Sequence, residues 1–165
     1  MEKDLPGTYY LIKFQILQKE YYTFWYTDDM DGFLLDRKGK LKSLPTKEDA
    51  VAFAAKMGFL LDTKELLISS AILRKRNIDC SLFLNYWNIF SDIAYSINCR
   101  FAGDSRDDVT SRIYEKLFYG CNILVSEDEE HYIPKWSKKE KRRIANIMKN
   151  GFAILATGLS ADRNL

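Results

Sequence analysis

The chain's only histidine, His131, stands beside the acidic run Glu127-Asp128-Glu129-Glu130 and just ahead of Tyr132-Ile133-Pro134. A general base needs a positioned partner and a pocket. No nucleophile lies at recognisable spacing from His131, so a solvated loop histidine outweighs a hydrolase centred on His131 and Glu130. Cys80, Cys99 and Cys121 are odd in number, widely spaced and set in apolar patterns, which fits reduced, buried thiols rather than a disulfide framework. They also lack the C-x-x-C spacing and the four ligands of a zinc site, so no metal is expected. Thr27-Asp28-Asp29-Met30-Asp31-Gly32 invites comparison with a calcium loop, whose first position is Asp and whose twelfth is a bidentate Glu. Here those positions are Thr27 and Lys38, and the segment reads as a polar hairpin turn. Glycine-rich phosphate loops, G-x-S-x-G and H-E-x-x-H are absent as well, so no catalytic residue and no cofactor is assigned.

What remains is charge. Asp28, Asp29 and Asp31 in one turn, and Glu127, Asp128, Glu129 and Glu130 in another, are the candidates for meeting a basic protein partner, with carboxylates standing where phosphates would sit. Two basic clusters oppose them: Arg74-Lys75-Arg76, and Lys135 with Lys138-Lys139 and Lys141-Arg142-Arg143. These could neutralise nucleic-acid phosphates. The second opens a helix that needs a solvated face anyway, so a solvent face is weighted above an RNA groove.

Elements must place these groups, and composition says that one domain can do it. The 165 residues are 47% hydrophobic and 14% aromatic, enough for a sizeable core. With 25 basic and 23 acidic residues the net charge is +2, so electrostatics can act only through local clusters. The start, Met1 to Gly7, lacks the apolar stretch of a secretory signal, and Phe152 to Leu159 is far short of the ~20 residues that cross a bilayer. With the reduced thiols, this points to the cytoplasm.

Short β segments are predicted at Tyr9 to Leu17, Tyr21 to Thr27, Phe33 to Asp36 and Leu41 to Leu44, forming a small antiparallel meander. Thr46 caps a helix running to Met57, with Ala50, Phe53, Ala54 and Met57 on one stripe and Gly58 as terminator. Between Phe59 and Asn77 the apolar run admits strand or helix; helix is preferred. Asp79 caps a long core helix carrying Leu82, Phe83, Tyr86, Trp87, Phe90, Ile93, Ala94 and Ile97. Another begins near Asp107 and ends at Gly120. A loop from Asn122 to Trp136 follows, and Ser137 with Glu140 makes an S-x-x-E capping box for the last helix. Gly151 within that helix implies a close neighbour. The class expected is α+β: a small N-terminal antiparallel sheet of three to four strands packed on a C-terminal layer of about four helices.

Several stretches resemble the immunity proteins of bacterial contact-dependent growth inhibition. In the N-terminal half they are Phe24 to Gly32, Gly32-Phe33-Leu34-Leu35 with Gly39-Lys40-Leu41, and Thr46 to Met57. In the C-terminal half they are Ile78-Asp79-Cys80, Leu84 to Asp92, Ile113 to Gly120 and Tyr132-Ile133-Pro134-Lys135-Trp136-Ser137. The resemblance implies a non-enzymatic cytoplasmic inhibitor that binds the C-terminal domain of a cognate toxin, commonly a nuclease. Asn85, Asn88, Asp92, Lys116 and Asn122 would then satisfy caps and buried groups. The runner-up is an RNA-associated module built on the basic helix of residues 135–143. Neither a membrane nor a nucleic-acid partner is expected on the first reading.

Overall fold

The computed structural model describes residues 7–160; Met1 to Pro6, part of the segment read above for a secretory signal, lie outside the described residues. Strands β1 (Thr8–Ile16) and β2 (Lys19–Tyr26) form a hairpin closed by Leu17 and Gln18, with Leu17 at φ 55. Two short strands, β3 (Gly32–Phe33) and β4 (Ser43–Leu44), pair antiparallel with β2, and a single bridge joins Leu35 to Leu41. Helix α1 (Lys47–Met57) starts at Thr46, whose hydroxyl accepts from the Asp49 amide, and stops at Gly58 in the left-handed region.

The α+β class holds, and the segment from Phe59 corrects the sequence reading. Leu60–Ser69 is a ten-residue strand, β5, lying parallel to β1 at the sheet edge, and only a 3-10 turn follows at Ser70–Arg74. The sheet is therefore five-stranded and mixed. A register shift hid this strand: Tyr10 pairs with Asp62 but Ile12 pairs with Leu66, so extra residues at the edge break the two-residue alternation on which a strand reading depends.

The sheet is apolar on both faces. Ile12, Phe14, Ile16, Phe33 and Ile68 meet three helices, α2 (Cys80–Ser96), α3 (Asp108–Gly120) and α4 (Lys138–Leu159). Tyr9, Leu11, Tyr22 and Phe24 turn to the opposite face, where α1 supplies Ala50 and Ala54. Helix α2 is the spine, with Trp87, Phe90 and Ile93 almost wholly buried. Side-chain caps at Asp79, Asp107 and Ser137 begin the three helices, and the Ser137–Glu140 capping box is fully formed. Gly151 lies where α4 crosses α2, and a Cβ there would overlap the Phe90 ring. Tryptophan and serine tie α2 to the sheet: Trp25 Nε1 donates to Asp92 Oδ2 at 2.9 Å, and the Phe33 amide donates to Ser96 Oγ at 2.9 Å.

The thiols depart from their expected burial. Cys80 and Cys121 are half-buried and Cys99 is exposed, because it lies just past the end of α2.

Candidate functional site

Between α3 and α4 the chain makes a seventeen-residue connection, 121–137, without a helix or strand of its own. Structureless connections of that length in a compact domain are uncommon and are usually either functional or disordered. This one is held at both ends. Asn122, at φ 52, donates from Nδ2 to the Gly120 and Tyr132 carbonyls at 3.0 Å each, and its Oδ1 accepts from the Tyr132 amide at 2.7 Å. That pair of bonds pinches residues 123–131 into a closed loop.

At the far end Lys116, on α3, donates to the Lys135 carbonyl and to both oxygens of Glu140 at 3.0 and 3.1 Å, with its ammonium 4.6 Å from the Trp136 ring centre. Burial raises the Glu140 carboxyl, but the Ser137 amide and the Lys116 charge outweigh it and hold the group below its ordinary value. Gly120 completes the fixture, since any side chain there would run into Cys80 and Pro134.

The pinched loop exposes what a folded chain normally hides. Ile123, Leu124 and Ile133 are 69, 79 and 82% exposed, and Tyr119 and Tyr132 are largely open beside them. Exposed apolar side chains gathered at one place, rimmed by charge, mark association surfaces. Glu127, Asp128, Glu129 and Glu130 lie in the same loop; all four are exposed, and the Glu129 amide turns back on the Ser126 carbonyl at 3.1 Å.

The other predicted acidic residues lie elsewhere. Asp28, Asp29 and Asp31 occupy the β2–β3 turn at the C-terminal end of α2, where the Tyr95 hydroxyl donates to Met30 Sδ at 3.2 Å. His131 and Tyr132 line a cleft with Asp79 and Cys80 at the N-terminal end of α2. The seventeen residues of α2 span about 25 Å at 1.5 Å per residue. The two acidic groups are thus at opposite ends of the spine and do not form one patch.

Around Asp31 is an open cleft of about 430 Å³, lined also by Trp25, Asn85, Asn88, Ser91 and Asp92. Burial lifts the Asp92 carboxyl to about 6, and the charges of Asp31 and Asp104 add to this while the Trp25 hydrogen bond opposes it. Asp104 is joined to the cleft through Ser91, whose hydroxyl donates to it at 2.6 Å. Sequence reasoning missed Asp92 and Asp104 as acidic neighbours, because they lie on elements remote from the turn. It also treated Lys116 and Asn122 only as satisfied polar groups. The one available signal for the loop was its length.

Nothing near His131 resembles an activated nucleophile. The Cys80 thiol shares its cleft, but burial raises it, with Cys121 and Asp79 adding to the shift; a reactive cysteine is shifted the other way. Among the described residues no three His, Cys, Asp or Glu side chains gather to hold a metal ion, and no helix is long and apolar enough to cross a membrane. No protein-family model, curated protein or solved structure matches the chain.

Proposed function

We propose that the chain is a stoichiometric inhibitor of the contact-dependent growth inhibition immunity type, which binds one toxin domain through the 122–136 loop and makes or breaks no bond. The observation that carries this is a long connection fixed at both ends by side chains while it presents Ile123, Leu124 and Ile133 to solvent. Ordering a loop before binding removes an entropic cost that the complex would otherwise bear. The aliphatic centre would supply the desolvated anchor, and Glu127 to Glu130 would steer a basic partner and reject others. The resemblance in residues 78–80, 84–92, 113–120 and 132–137 supports the same class. A net charge of only +2 is compatible with it, since the carboxylates act locally.

The test is titration of the purified chain with the toxin domain encoded immediately upstream, followed by calorimetry. A 1:1 complex is expected, weakened at least a hundredfold by Ile123→Asp with Leu124→Asp. Asn122→Ala should weaken it about tenfold, chiefly by slowing capture, and should speed hydrogen exchange at the Tyr132 amide while leaving α2 protected. An absent complex at micromolar concentration, or one indifferent to the double variant, overturns the proposal.

A further inference from the structure

The two basic clusters that the sequence keeps apart meet in the fold. Lys75 and Arg76, at the exit of the 3-10 turn after β5, stand across a narrow slot from Lys141 and Lys149 of α4. Lys141, Ala145 and Lys149 recur at four-residue spacing and share one stripe of the helix, so the two lysines are about 12 Å apart along it. The slot floor is apolar, made by Ile72, Ile78 and Met148. Three hollows lie side by side here, sharing Arg76 and Ile78 in their walls, and the largest of them, about 510 Å³, reaches His131 and Tyr132. The result is a trench rather than a patch.

Its charge is unspent. All four cations are exposed, and among the described residues none is engaged in an ion pair. The largest of the three hollows also takes in the first turn of α2 and borders the start of α4, whose N-terminal partial charges are offset by the Asp79 and Glu140 carboxylates, so the lysines and Arg76 carry the positive potential. Asp79, the carboxylate on the wall, is occupied in capping: its Oδ1 accepts from the Leu82 amide at 3.1 Å. A trench whose walls carry cations at intervals, whose floor is apolar and whose end holds an open tyrosine matches the arrangement that seats a backbone and stacks a base. A duplex would need a broader or convex surface, since its bases are already stacked and its phosphates lie across the grooves.

We infer that this trench binds single-stranded nucleic acid, with phosphates along Lys75, Arg76, Lys141 and Lys149 and a base against Tyr132. This site adjoins the proposed toxin contact and shares Tyr132 and Ile133 with it, whereas Ile123 and Leu124 belong to the toxin contact alone.

The probe is a fluorescein-labelled twelve-nucleotide oligouridine, followed by anisotropy with the full chain. Binding is expected at 50 mM salt and should weaken at least tenfold by 200 mM, with a log–log slope near 0.7 for each phosphate neutralised. Arg76→Glu with Lys141→Glu should cost at least thirtyfold, and Lys149→Glu alone about fivefold. Arg37→Glu with Lys38→Glu, which changes the net charge equally but lies away from the trench, should cost less than twofold. Tyr132→Ala should cost about fivefold. Ile123→Asp with Leu124→Asp should leave the affinity intact, which separates this result from the toxin test. Absence of binding at 50 mM salt overturns the inference, as do equal losses from the two double charge reversals, equal affinity for the oligouridine–oligoadenosine duplex, or equal competition by polyglutamate.

Discussion

The two ends of α2 carry opposite surroundings. At its N-terminal end stand Arg76 and Lys141, with a concave surface between them. At its C-terminal end stand Asp31, Asp92 and Asp104, and the last turn holds no Lys or Arg. A helix is stabilised by the reverse placement, anions at the amino end and cations at the carboxyl end. The N-cap Asp79 follows that rule, as does the Glu127–Glu130 run beyond the same end, while Arg76, Lys141 and the three C-terminal carboxylates break it. Charges set against the macrodipole cost stability, so both groupings are explained better by what they meet outside the chain than by what they do for the fold.

The contrast can be broken at its shared axis. Gly151→Val would force a branched side chain into the Phe90 ring at the crossing of α4 and α2, and overpacking of that kind costs about 3 kcal/mol or more. A large drop in melting temperature is expected, with both ends losing hydrogen-exchange protection together. Retained stability would mean that the crossing is looser than its geometry implies.

A smaller change sharpens the acidic end alone. The folded chain holds a proton on Asp92 up to about pH 6, whereas the unfolded chain releases it near pH 4. Stability from this group is therefore complete below pH 4 and is lost as pH rises through 6. Asp92→Asn keeps an acceptor for Trp25 and removes the titration. At pH 7 the variant should be the more stable, by about 1 kcal/mol, because water screens a part-exposed carboxylate and limits the effect. The difference from the parent should vanish near pH 4. Melting curves at half-unit pH steps read this directly, and an unchanged difference across that range would show that Asp92 is not the titrating group.

The slightest perturbation compares the thiols at the two ends. Cys99, exposed beyond the C-terminal end of α2, should react with iodoacetamide at pH 8 several times faster than Cys80, which burial keeps protonated at the N-terminal end. Peptide mapping of partly alkylated protein gives the order. Faster reaction at Cys80 would mean that its cleft opens more than the packing of Gly120 against it allows.

Legibility followed range along the chain. The Thr46, Asp79 and Ser137 caps, the helix start near Asp107, the α1 stripe with its Gly58 stop, and the Gly151 close approach were all readable, because each rests on a residue type and its neighbours within a turn or two. The strand at Leu60–Ser69 was not, because its edge position leaves most side chains exposed and its bulge breaks the alternation. The acidic runs were visible as charges, while their separation to opposite ends of α2 was not.

By itself the sequence determined α1 to α4, the Thr46, Asp79 and Ser137 caps, the apolar content and the α+β class, though not the strand at Leu60–Ser69, since local hydrogen bonding and periodic burial are written at three- and four-residue spacing. Only the tertiary structure decided that β5 runs beside β1, that Trp25 reaches Asp92 across 67 positions, that Lys116 closes the loop onto Glu140, and that Lys75 and Arg76 face Lys141 and Lys149. Those pairings depend on how layers dock, and docking is settled by the whole buried surface at once rather than by any spacing along the chain.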